Sequence, residues 1–126
     1  MGWEIRPAAE GREDLLVTTW GVASRADLER LAADLRGNPA IRPGARVIVD
    51  HSALDLRELT SEEIRGRAER IAEMSSELVD ARIATVVSSP AAYGIQRMVQ
   101  AYAEYAVQHE MGVFYSLADA RDWLAT

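Results

Sequence analysis

Cysteine and lysine are both missing from this 126-residue chain, whose 14 basic residues are all arginine. Without cysteine no thiol nucleophile, zinc thiolate site, iron–sulfur cluster or disulfide can form. Without lysine there is no Schiff base, no pyridoxal phosphate anchor and no phosphate-loop lysine. Histidine is scarce as well, with only His51 and His109 present, so one chain cannot build a three-histidine metal site. The carboxylates show no metal-like spacing, and no cofactor is expected. No apolar run approaches the ~20 residues that cross a bilayer, and Met1 to Glu10 lacks the apolar centre of a secretory signal. These absences predict a cytoplasmic protein with no membrane span.

The residues that are present, 48% hydrophobic and 27% charged, fit one globular domain over positions 1–126 with a core of its own. A net charge of −6, with the arginines scattered among acidic residues, argues against nucleic acid as a partner. Period and punctuation then give nine elements. Trp3 to Arg6 and Leu15 to Trp20 read as a hairpin about a turn of Gly11, Arg12, Glu13 and Asp14. Ser24 with Asp27 starts a helix that Gly37-Asn38-Pro39 ends. Arg46 to Asp50 is the next strand. Thr60 and Glu63 form a capping box that opens a helix with Ile64, Ala68, Ile71, Ser75 and Leu78 inward, and with Glu63–Arg67 and Arg65–Glu69 as exposed pairs. Ile83 to Ser88 is a fourth strand. Ser89-Pro90 then starts a helix running to about His109, with Ile95, Met98, Val99, Tyr102 and Ala106 buried and Tyr105 at the margin. Val113 to Tyr115 is the last strand, and Ser116 with Asp119 starts a terminal helix. The order is ββαβαβαβα, an α/β domain with a mixed five-stranded sheet and four helices.

Right-handed crossovers put helices that follow successive strands on one face of the sheet. Yet the segments 46–50 and 83–87 do not alternate apolar and polar as half-wet strands would. The second face is therefore expected to be covered by a symmetric partner chain, making a homodimer, or by an apolar ligand.

Few residues suggest chemistry. Asp50-His51-Ser52 is no local triad, because an extended chain points His51 away from the other two. Asp50 and Ser52 read as partners of backbone donors, and His51, at a strand's carboxyl end, is a candidate for ligand contact. Ser89, Tyr93, Gly94 and Arg97 occupy the first two turns of one helix. Free backbone donors with an arginine suit a carboxylate or phosphate, and Gly94 admits a ligand or a neighbouring backbone close by.

The loop Ala53 to Glu58 and the helix start Leu59-Thr60-Ser61 that follows it resemble the STAS family, in which a helix start carries a phosphorylatable serine; the resemblance makes Thr60 or Ser61 a candidate phosphoacceptor. Neither the family's aspartate–serine pair nor its glycine is present. Ser-Ser-Pro-x-x-Tyr-Gly-x-x-Arg-Met from Ser88, Trp20-Gly21 and Gly-Val-Phe-Tyr-Ser from Gly112 together resemble the small bacterial SpoIIAA-like proteins, which share a STAS-like fold. That resemblance covers essentially the whole chain and carries no assigned reaction; related CRAL-TRIO domains suggest apolar ligands. The preferred expectation is a non-enzymatic regulatory or protein-interaction domain. The alternative is a carrier or sensor of an acidic, partly apolar, lipid-like molecule held by Tyr93, Gly94 and Arg97. A hydrolase lacks a nucleophile and base.

Overall fold

The computed structural model describes residues 1–8, 12–104 and 107–126. Gly11 of the expected turn, and Tyr105 and Ala106 of the expected helix stripe, lie outside the described residues. Five strands form one sheet in the order of the chain: β1 (Gly2–Pro7), β2 (Leu15–Val22), β3 (Arg46–Asp55), β4 (Arg82–Val86) and β5 (Glu110–Phe114). β1 pairs antiparallel with β2, and the remaining neighbours are parallel. The helices are α1 (Arg25–Arg36), α2 (Ser61–Glu73), α3 (Pro90–Ala103) and α4 (Leu117–Leu124), with a short 3₁₀ turn at Ser75–Leu78.

Local chemistry starts each helix where the sequence placed it. Ser24, Thr60, Ser89 and Ser116 accept hydrogen bonds from the backbone N–H groups of Asp27, Glu63, Ala92 and Asp119. Each satisfies a donor that the first turn leaves without an intrahelical partner. Thr60 makes the full capping box, since the Glu63 carboxylate accepts from the Thr60 N–H.

The layers follow from alternation along the strands. Leu15, Val17, Val47 and Val49 face Leu31 of α1 and Met74 and Leu78 beyond α2. On the same side α2 and α3 pack through Ile64, Ala68, Val99 and Ala103. Ile48, Ala84 and Val86 point the other way, against Ala120 and Leu124 of α4.

The second face is thus covered by the chain itself, contrary to the sequence expectation. Right-handedness constrains a helix that must deliver the chain to another parallel strand, and no strand follows α4. That helix is free to fold back over the open face, where it is pinned at several points. Arg121 donates to buried Glu13 at 2.9 and 3.2 Å, and Arg82 lies 5.1 Å over the Trp123 ring. Gly112 leaves room for this packing, since a Cβ there would sit 2.7 Å from the Phe114 ring.

Other boundaries also differ. α3 stops at Ala103, so His109 lies outside it. Its inner face is Ala92, Gln96, Val99 and Ala103, whereas Met98 and Tyr102 are exposed. β3 runs five residues past Asp50, and this extension builds the site described next.

Candidate functional site

Between the partners Thr18–Asp50 and Trp20–Ala53, β3 carries one residue more than β2. Such a bulge twists a strand and re-aims its side chains. Thr19 continues the inward row of Leu15 and Val17, and His51 that of Val47 and Val49; both are buried. His51 therefore lies inside the helix-covered layer, not in a loop beyond the strand, while Ser52 remains exposed. The Ser52 N–H donates to the Asp50 carboxylate at 3.0 Å, which is the local role that the sequence suggested for Asp50.

The His51 ring is held from both sides. Its Nε2 lies 3.2 Å from Nη2 of Arg67 on α2, and its Nδ1 lies 2.7 Å from Thr19 Oγ1. Because arginine can only donate, Nε2 must accept. The proton is then on Nδ1 and donates to Thr19 Oγ1, whose own hydroxyl donates to the Asp50 carbonyl at 3.1 Å. Burial, and after it the Arg67 charge, holds His51 well below 6.5, which keeps the ring neutral at pH 7.

Arg67 is the unexpected member. The sequence suggested an exposed pair with Glu63, but among the described residues Arg67 makes no ion pair. Its Nε is buried and has no hydrogen-bond partner. Desolvation lowers its pKa from the ordinary arginine value to about 10, so it remains a cation at pH 7. The signal was present in the spacing: Ile64, Arg67, Ala68 and Ile71 fall at i, i+3, i+4 and i+7, the positions of a helix's inner stripe. Assigning Arg67 to an exposed pair with Glu63 passed over the stripe's second member.

Arg67 lines a cavity of about 340 Å³ between the helices and the sheet. The walls are mostly apolar, including Leu28, Leu31, Val47, Val49, Ile83 and Val99, and buried Gln96 of α3 adds an amide. Glu29 of α1 also lines it, accepting from Arg25 at 3.1 Å and from Arg70 of α2 at 2.6 Å. The volume lies at the lower end of the ~300–1,000 Å³ range of small-molecule pockets. Arg25, Arg65, Arg70, Glu62, Glu63 and Glu69 line it as well, so it is a largely apolar space edged by charges of both signs, and with Arg67 in no ion pair among the described residues it can bind an amphiphilic anion. The hydroxyl beside the His51 ring, that of Thr19, is fully buried and accepts from Nδ1.

The other sequence candidates lie away from this cavity. Ser89 caps α3, and half-buried Tyr93 stacks on Tyr115 with ring centroids 5.1 Å apart. A Cβ added at Gly94 would meet nothing within 4 Å, so neither a helix nor another described group makes the close approach expected there. Exposed Arg97 donates to Gln100 Oε1 on its own helix at 3.1 Å. Tyr93 and Arg97 are thus engaged with neighbours in the fold, and these four residues do not converge on a shared pocket. The Thr60 hydroxyl is occupied as a cap, and Ser61 beside it is exposed.

No protein-family model and no curated protein matches this chain. It is similar to the crystal structure of an uncharacterised DUF3478-family protein from Shewanella loihica PV-4, described as having a SpoIIAA-like fold. The TM-score is 0.63 at 18% identity, over 98% of this chain and 92% of the other. The chain has a SpoIIAA-like fold, and at this identity the likeness speaks for the fold and not for an activity.

Proposed function

We propose that this chain is a non-enzymatic binding domain, a carrier or sensor of a small, partly apolar and acidic molecule held between α2 and the sheet. The observation that carries the reading is half-buried Arg67, whose Nε is sealed from water without a hydrogen-bond partner, which makes no ion pair among the described residues and which lines a largely apolar cavity. An isolated buried charge is costly unless something compensates it. An anionic end group would do so, and the apolar walls would gain roughly 25 cal/mol for each Å² of ligand surface removed from water. The expected ligand class is the one the sequence suggested, on an arginine thirty residues from the one it nominated.

Native mass spectrometry of gently purified protein tests this. A bound small mass, absent from Arg67→Met prepared in the same way, is the expected result. Bare protein in every wild-type preparation would count heavily against it.

A protein-interaction role has its own support. Trp20, Val22 and Tyr115 are large, exposed side chains at the carboxyl ends of the strands. The homodimer expectation has lost its original ground, because α4 buries the face that a partner was expected to cover. Light scattering at micromolar concentration decides that point separately.

A further inference from the structure

Resting on the cavity reading above, we infer that the charged end it accepts is a single carboxylate, carried on an apolar body of about ten non-hydrogen atoms, and not a phosphate. The length follows from the volume: 340 Å³ holds on the order of ten groups the size of a water molecule, at ~30 Å³ each.

Charge decides the head group. Arg67 brings one positive charge to the inner pole. His51 cannot add another, because its Nε2 accepts from Arg67 and a protonated ring would have no acceptor to offer. Apart from Arg67, the lining carries Arg25, Arg65 and Arg70 against Glu29, Glu62, Glu63 and Glu69, so it offers no surplus of positive charge. A monoanion would neutralise Arg67. The second charge of a phosphate monoester would add to a lining in which carboxylates already outnumber the remaining arginines.

Shape agrees with charge. A carboxylate is planar and matches two parallel guanidinium N–H groups. His51 takes one donor from Nη2, and the buried Nε–H is still without a partner. Gln96 offers the same cavity an amide that can donate to a carboxylate oxygen. The His51–Thr19–Asp50 chain fixes the imidazole and, through it, the guanidinium, so the fork is held before a ligand arrives. This is a positioning role, and it explains a buried histidine with no place in a reaction.

Calorimetric titration of the whole chain at pH 8 with octanoate, 1-octanol and octyl phosphate tests the assignment. Octanoate is expected to bind one to one, about 10- to 100-fold tighter than 1-octanol, the span of a hydrogen bond to a charged group. Octyl phosphate, doubly charged at that pH, should bind no tighter than 1-octanol. Arg67→Met should bring octanoate down to the affinity of 1-octanol, with Arg67→Lys between the two. Octyl phosphate binding as tightly as octanoate would overturn the carboxylate assignment. So would octanoate binding no tighter than 1-octanol, an outcome that leaves the apolar cavity in place. If none of the three probes binds, the cavity reading itself fails. The wild-type comparison stands whether or not either variant folds.

Discussion

Replacing Arg67 by methionine should leave the fold as stable as before or more so, the reverse of what truncating a buried side chain ordinarily does. Desolvation of the guanidinium lowers its pKa from the ordinary arginine value to about 10, which corresponds to roughly 3 kcal/mol at about 1.4 kcal/mol per tenfold. Methionine retains much of the aliphatic stem and removes that charge. Against the gain stands His51 Nε2, which loses its donor and is left buried at a cost of about 1–3 kcal/mol. The net expectation lies between no change and about 2 kcal/mol of stabilisation. Truncating a large apolar core residue costs about 2–5 kcal/mol instead. Urea unfolding of wild type and variant, each refolded from denaturant to strip bound small molecules, measures the difference as a shifted midpoint at constant slope. Destabilisation of more than about 2 kcal/mol would refute the reasoning. It would make the Arg67–His51 contact a structural tie between α2 and the sheet, and Arg67 would no longer be a cation kept at a cost for a ligand.

Acid should destabilise the fold earlier than its carboxylates require. Burial and then Arg67 depress His51, and burial depresses His109, so the unfolded chain takes up protons first. Their contribution is complete above about pH 6.5 and is lost as pH falls through the folded values, by up to ~1.4 kcal/mol per pH unit for each histidine. Thermal melts at pH 7.5 and 5.5 should show it, and equal midpoints would contradict the burial of both rings. Ala32→Leu, from a half-buried position on the cavity wall, should stabilise by about 0.5–2 kcal/mol as a cavity-filling change and abolish octanoate binding; retained binding would place the ligand elsewhere. Thr60→Ala should cost about 1 kcal/mol through loss of the cap, and an unchanged unfolding midpoint would show that α2 does not depend on it.

The sequence was most informative where structure depends on neighbours along the chain. All four caps were readable because a serine or threonine and the N–H three residues later form a closed local arrangement. The extension of β3 was not, since the strand continues only because β2 pairs with it across a bulge, and the segment 50–55 gives no local sign of that. α4 was read with the other helices on one face, but the handedness rule constrains only a helix that leads to another parallel strand, and α4 lies on the opposite face. On α3, size misled the reading of the stripe: Met98 and Tyr102 are large and apolar, yet the inward positions hold Ala92, Gln96, Val99 and Ala103. Gln96 on α3 and Arg67 on α2 show the same pattern, a polar residue in an inner stripe, and both line the cavity.

That coincidence favours the proposed binding role over accidental packing. The space is partly open to solvent, lined in part by exposed Arg25, Glu62, Arg65 and Glu69, so its apolar walls stay hydrated at a cost of roughly 25 cal/mol for each Å² left in water. The half-buried Arg67 charge, its Nε sealed from water, lies on the helix that roofs the same space. Each defect has a common remedy, a larger side chain at Ala32 or an apolar one at position 67. Here both persist at one place, with a histidine chain orienting the charge and the apolar walls facing it. A solvated surface arginine needs no such support, and a cavity left by poor packing has no reason to carry an oriented cation at its pole. A bound amphiphilic anion would relieve both costs together, filling the space and neutralising the guanidinium. This shared remedy ranks a ligand-holding role above the interaction role that the sequence alone suggested.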